Sequence, residues 1–294
     1  MNSTLALVLL VVSSRGVAAA QDVKLDTAKI EALTGLKGQL NEKEGVFKVS
    51  YPREDIKAVV GGVKMTPPMG LTAWAAFTTS GDHAMVMGDI VLLEDQVNAV
   101  MSAALDNGLE VTALHNHFFW DSPRVVFMHV GGMGDEEKLA RGVGAVFAKL
   151  KETIGAKDLA PKADIDPAKT SLDPAKIETV LGAKGELAKG VYKVTIGFKT
   201  KMGDHEIGGA MGVNTWAAFA GSDDKAVVDG DFAMHENQLQ GVLKALRHAG
   251  INVVAIHSHM TMENPRVMFL HYWGLGKTTE LATGLKAALD SQKE

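Results

Sequence analysis

Short runs in which apolar and polar residues alternate are interrupted, once in the middle of each half of the chain, by a stretch with helical spacing. Val46 to Tyr51, Leu71 to Thr78 and Ala84 to Leu92 are rich in β-branched and aromatic residues and predict strands. From Glu94 to Asn107 the period changes. Val97, Val100, Met101, Ala104 and Leu105 fall on one face, acidic residues occupy the first turn and Gly108 lies just past the end, so this stretch predicts an amphipathic helix. Val111 to His117 and Arg124 to Val130 then predict two strands joined by a turn around Ser122-Pro123, and Asp135 to Glu152 a closing helix. A short helix capped by Asp26 precedes the first strand.

The same order returns. Leu25-Asp26-Thr27-Ala28-Lys29-Ile30 is echoed by Leu172-Asp173-Pro174-Ala175-Lys176-Ile177, and Trp74-Ala75-Ala76-Phe77 by Trp216-Ala217-Ala218-Phe219. Trp74 to Gly134 aligns with Trp216 to Gly276 without a gap, which marks a duplication. The second helix, Glu236 to Ala249, repeats the apolar stripe with Leu239, Val242, Leu243 and Leu246 ahead of Gly250. Helices that follow pairs of strands predict an α+β fold: two tandem copies of a β-β-α-β-β-α unit, with a mixed or antiparallel sheet and helices on one face. Residues 155–171 are polar and proline-punctuated, as a linker is, and separate repeat 1 (21–154) from repeat 2 (172–294).

Residues 1–20 read as a cleavable signal peptide, with an apolar run from Leu5 to Val12 and the small residues Ala18-Ala19-Ala20. The expectation is therefore an exported protein, periplasmic or secreted. The run is about half the length that a bilayer requires, so no membrane span is expected. A net charge of −5 with no basic block argues against a nucleic-acid partner. The absence of cysteine removes disulfides and thiolate ligands, leaving His, Asp, Glu and Met for any metal chemistry.

Histidine supplies the candidate chemistry. Each repeat carries His-x-His, a carboxylate, x-Pro-Arg and a third histidine: His115, His117 and His129 in the first copy, His257, His259 and His271 in the second. Residues two apart on a strand share a face, so the paired histidines point the same way. A turn centred near Ser122 places His115 opposite His129, and the equivalent argument pairs His257 with His271. Three converging imidazoles suit zinc first, with copper and iron as alternatives, and leave a coordination position open. Asp121 and Glu263 are candidates for a further ligand or for a group that orients an imidazole, and Arg124 and Arg266 for binding an anion. The competing reading makes the histidines hydrogen-bonded core residues. Trp74 and Trp216 read as core, Glu94 and Glu236 as complements to a helix dipole, and Asp89 and Asp231, charged residues inside strands, as a bulge or a site. Met260 and Met262 beside His259 hint at copper, but Phe118 and Trp120 stand at those positions in the first copy. His83, His205, His235 and His248, unmatched between copies, read as surface residues.

The His257-x-His259-x3-Glu263 spacing with a later histidine resembles the cupin metal motif, but the amphipathic helix ahead of it is foreign to that all-strand fold. Across Leu25 to Lys286 the Thr-Ala-Trp-Ala-Ala-Phe, His-Asn-His and Ser-Pro-Arg-Val-Val-Phe-Met-His segments are similar to the LppY/LpqO family of exported bacterial proteins. That resemblance implies export and a duplicated architecture, and no activity; the cysteine that makes several members lipoproteins is missing here. Taken together, the sequence points to an exported metal-binding protein whose partner is a metal ion or small molecule. A metal-dependent hydrolase or oxygenase using the same site is the alternative, and a metal-free module for anionic ligands is a third.

Overall fold

Along Thr72–Ser80 the residues Ala73, Ala75 and Phe77 are buried while their neighbours are partly exposed, so this strand presents one fully covered face and one open face. The same two-faced pattern organises the whole computed structural model, which describes residues 24–156 and 160–293. The expected signal peptide, residues 1–20, lies outside the described residues, as does 157–159 within the linker.

Repeat 1 runs α1 (Thr27–Thr34), β1 (Gly38–Asn41), β2 (Val46–Pro52), β3 (Thr72–Ser80), β4 (His83–Leu93), α2 (Val97–Asp106), β5 (Glu110–His115), β6 (Val125–Gly134) and α3 (Glu136–Thr153). Repeat 2 runs α4 (Pro174–Leu181), β7 (Gly185–Ala188), β8 (Val191–Gly197), β9 (Asn214–Gly221), β10 (Ala226–His235), α5 (Leu239–His248), β11 (Asn252–His257), β12 (Val267–Gly276) and α6 (Thr278–Asp290). The fold is α+β, as expected. Each half puts six strands into the sheet, four before the middle helix and two after it, so it is larger than the β-β-α-β-β-α order read from the sequence; β1 and β7 are the strands that no predicted run covers. Those two, Gly-Gln-Leu-Asn and Gly-Glu-Leu-Ala, are short and mostly exposed, so they carry no apolar alternation that would announce them. Helix caps follow the sequence closely: Asp26 accepts from the Lys29 amide, Asp135 from Lys138 and Asp173 from Ala175.

Twelve strands form one sheet in the order β1-β2-β3-β4-β6-β5-β11-β12-β10-β9-β8-β7. Every pairing in it is antiparallel. The halves meet edge to edge at β5 and β11, where Leu114 pairs with Ile256. On one side of the sheet α3 packs on α1 and α2, α6 packs on α4 and α5, and α2 touches α5 across the junction. Gly132 and Gly274 lie beneath Leu139 of α3 and Leu281 of α6, and a β-carbon at either would come within 2.9 Å of that leucine. Glycine there lets helix and sheet close up. Among the described residues no α-helix packs on the opposite face. In repeat 2 part of it is covered by a small hairpin, Thr200–Met202 with His205–Ile207, from which Ile207, with the nearby Val213, packs on Ala233, Val267 and Phe269. Among the described residues no helix is long and apolar enough to cross a membrane.

Candidate metal centre

The helix-free face is where the histidines gather. In each repeat the strand before the amphipathic helix pairs with the strand that ends the hairpin, so Asp89 of β4 stands opposite His129 of β6, and Asp231 of β10 opposite His271 of β12. On their other side His129 and His271 face Ala113 and Ala255. His115 and His257 are opposite Phe127 and Phe269. This corrects the expected pairing of His115 with His129. The register is centred on residue 121 rather than 122, which displaces the partner by two residues along β6. The face is unchanged by a shift of two, so the imidazoles still meet: ring centroids of His115 and His129 are 5.0 Å apart, those of His257 and His271 4.8 Å.

His117 and His259 lie just beyond the strand ends and return over the sheet by stacking on phenylalanine. His117 lies on Phe127 with centroids 3.4 Å apart, and His259 on Phe269 at 3.5 Å. That stacking aims both histidines of each His-x-His pair at one point. Nε2 of His115 and Nε2 of His117 are 3.2 Å apart, and the same atoms of His257 and His259 are also 3.2 Å apart. Two imidazole nitrogens at about 2.0–2.1 Å from a tetrahedral zinc ion would be separated by roughly that distance.

A carboxylate completes each cluster, and it is not the one expected from the motif. Asp121 accepts a hydrogen bond from the Val125 amide at 2.7 Å and Glu263 one from Val267 at 3.2 Å. Both brace the loop between the hairpin strands, which turns through left-handed backbone at the equivalent residues Trp120 and Met262 and contains the cis peptides Ser122-Pro123 and Asn264-Pro265. Arg124 and Arg266 sit 3.6 Å from Glu94 and Glu236 respectively. The carboxylates beside the imidazoles are Asp89, 3.9 Å from His129 Nε2, and Asp231, 3.4 Å from His259 Nε2. Asp231, His257 and His259 each offer a ligand atom within 4.8 Å of the others.

The cluster combines buried carboxyl groups with imidazoles that burial shifts. Asp231 is 4% exposed, and one oxygen of each aspartate, Oδ1, is buried with no hydrogen-bond partner among the described residues. Burial raises both carboxyl pKa values, against the pull of the adjacent imidazoles. Burial, with the neighbouring imidazoles, lowers His115 and pushes His257 down to about 4; burial also lowers His117. His115, His117 and His257 are thus held in the neutral state, the one in which imidazole ligates. His271 directs Nδ1 at the Gly230 carbonyl, 3.3 Å away, which leaves Nε2 to face the cluster.

The two tryptophans expected in the core are half-buried on the helix-free face instead. Trp74 is opposite Asp89 and Trp216 opposite Asp231, with Lys48 and Lys193 over their rings at 4.2 and 4.1 Å. His235, expected at the surface, is half-buried with its ring 4.8 Å from that of Phe198. His83, His205 and His248 are exposed. Met260 packs with the cluster around Phe269, whereas Met262 is exposed.

Residues 28–149 and 175–291 each match the family described as "Domain of Unknown Function (DUF1259)", and the chain belongs to that family, in two copies. No curated protein matches it. Similar solved structures include EtuB from Clostridium kluyveri (10% identity, TM-score 0.25, covering 88% of this chain and 90% of that one). They also include the microcompartment shell protein PduB (10% identity, TM-score 0.20, covering 86% and 89%). The double-ringed shell protein MSM0271 of the RMM microcompartment is a third (11% identity, TM-score 0.18, covering 74% and 85%). Likeness at this level carries no argument about this chain.

Proposed function

We propose that the protein is an exported metal-binding protein of the LppY/LpqO type, built from two tandem α+β repeats with a site in each. His115, His117 and His129 hold the ion in the first, His257, His259 and His271 in the second, and Asp89 or Asp231 supplies the charge-balancing carboxylate. The observation that carries this reading is the paired one: in both repeats two Nε2 atoms lie 3.2 Å apart, and an aspartate on the same sheet face keeps a buried oxygen that accepts no hydrogen bond among the described residues. A buried carboxylate oxygen left without a hydrogen bond costs stability, so its presence in both copies favours a cation that it serves. Borderline nitrogen and oxygen donors suit zinc best, with copper and iron next.

A metal-dependent enzyme is the second reading, favoured by the partial exposure of His129 and His259, at 41% and 32% of their side chains, which leaves room for water or substrate on the ion. The metal-free anion module has less support, since Arg124 and Arg266 already face glutamates.

The deciding experiment is elemental analysis of full-length protein purified without chelator or an affinity tag. Up to two transition-metal ions per chain are expected. His115→Ala/His117→Ala should remove one of them and His257→Ala/His259→Ala the other. No metal in native material and no uptake of zinc, copper or iron at neutral pH would defeat the metal readings.

A further inference from the structure

The two clusters sit side by side on one sheet face. Leu114 pairs with Ile256 across the junction, so His115 adjoins Ala255 and His257 adjoins Ala113. Adding the pairings of His129 with Ala113 and of Ala255 with His271 gives two continuous rows of side chains across the junction. One row reads His129, Ala113, His257 and the other His115, Ala255, His271. Histidines at the ends of a row are separated by two strand spacings, roughly 10 Å, and His115 and His257 are diagonal neighbours with Cβ atoms about 7–8 Å apart. Between them the floor consists of the two alanines, and no α-helix among the described residues packs on this face.

We propose that the two metal sites form one trough that binds a single linear molecule carrying an acid group at each end, a dicarboxylate or its phosphate counterpart, with one end on each ion. This rests on the metal reading above and adds to it. Neutral imidazoles and one aspartate leave a divalent ion with one uncompensated positive charge, and the trough has such a charge at both ends. The alanine floor offers no polar partner for the middle of a ligand, which suits a methylene chain. Sites two strand spacings apart are too distant to share one bridging oxygen, since two-metal centres of that kind lie about 3.5–4 Å apart. They are close enough for a short chain to span.

The test uses full-length protein loaded with zinc and counted by elemental analysis, then titrated calorimetrically with acetate and with the dicarboxylates from oxalate to adipate. One dicarboxylate of intermediate length should bind per chain, roughly 100-fold tighter than acetate, because the second end binds within one molecule. Ala113→Leu and Ala255→Leu fill the floor without replacing a ligand. They should reduce the dicarboxylate to acetate-like affinity while two zinc ions remain bound. If either variant fails to fold, His115→Ala/His117→Ala, which removes one end, should give the same loss. Two dicarboxylates per chain at acetate-like affinity, no dicarboxylate binding, or tight binding indifferent to the leucines would overturn the shared trough and leave the metal sites standing. A chain that takes up no zinc overturns both.

Discussion

Asn98 of helix α2 holds Val253 of strand β11 by both backbone groups, accepting from its amide at 2.8 Å and donating to its carbonyl at 3.2 Å. Its counterpart Gln240 does the same to Val111 in the reverse direction, at 3.0 and 2.9 Å. Each repeat thus clasps the other with a side-chain amide at the point where a bulge breaks the ladder, between Val111 and Ala113 and between Val253 and Ala255. Arg247 adds a bond to Ser102 at 3.2 Å. Replacing Asn98 with alanine strips both partners from Val253 and should cost about 1–3 kcal/mol. Gln240→Ala should cost a similar amount. Urea denaturation of both variants measures this, and an unchanged midpoint would show that the clasps do not hold the halves together.

Asp231 should be a residue that weakens the empty protein and strengthens the loaded one. Asp231→Asn removes a buried charge whose Oδ1 has no partner, so the metal-free variant should be more stable than the parent by about 1 kcal/mol. Its zinc affinity should fall, on the order of 10–100-fold. Thermal unfolding with and without zinc separates the two effects. A variant less stable in both states would mean that the aspartate serves the fold alone.

The pH dependence of the metal-free protein follows from His257, whose pKa is lowered from 6.5 to about 4 by burial and by His271 and His259. Between those values the unfolded chain takes up a proton that the folded chain refuses. The contribution of His257 therefore rises with pH from about 4 to 6.5 and is lost as pH falls through that window. Asp89 and Asp231, with raised pKa values, act in the opposite sense above pH 3.8, because the folded chain keeps their protons longer. Denaturation midpoints of the parent and His257→Gln at pH 4.5 and 7 isolate the histidine, and the variant should show the smaller gain on going to pH 7. Equal gains would contradict the lowered pKa.

Glu263→Gln and Asp121→Asn separate the loop carboxylates from the cluster. Each replaced side chain keeps an oxygen that can accept from Val267 or Val125. Metal content should stay at the parent's level, with stability lower by about 1 kcal/mol as a charge-assisted bond becomes a neutral one. Loss of one ion per chain in either variant would return that carboxylate to the metal.

The histidines were legible because their spacing is a local pattern that duplication shows twice, although His117 and His259 lie past the strand ends and owe their direction to stacking on Phe127 and Phe269 rather than to strand alternation. Their carboxylate partner was less accessible. Asp89 announced itself as a charge inside the strand Ala84 to Leu92, but its position opposite His129 depends on β4 pairing with β6 across an intervening helix and hairpin. Spacing contains no such long-range information. Asp121 and Glu263 looked like ligands because they lie close in sequence to the histidines, and their short distance to the next strand's amide is what claims them. The joining of the two halves through β5 and β11 rests on one residue pair, and no feature of either strand reports it.

Covalent linkage of the two repeats has a consequence for how such a molecule can change. In a symmetric dimer of identical chains every substitution appears twice and must suit both sides of the axis. Here a substitution enters one half only. Trp273 stands where the first repeat has Gly131, and the exposed Phe119 and Trp120 stand where the second has Thr261 and Met262. The histidines and aspartates have stayed alike while their surroundings have diverged. A scaffold made of two like halves has thereby acquired a head and a tail, so the two ways of laying a molecule across it would no longer be equivalent.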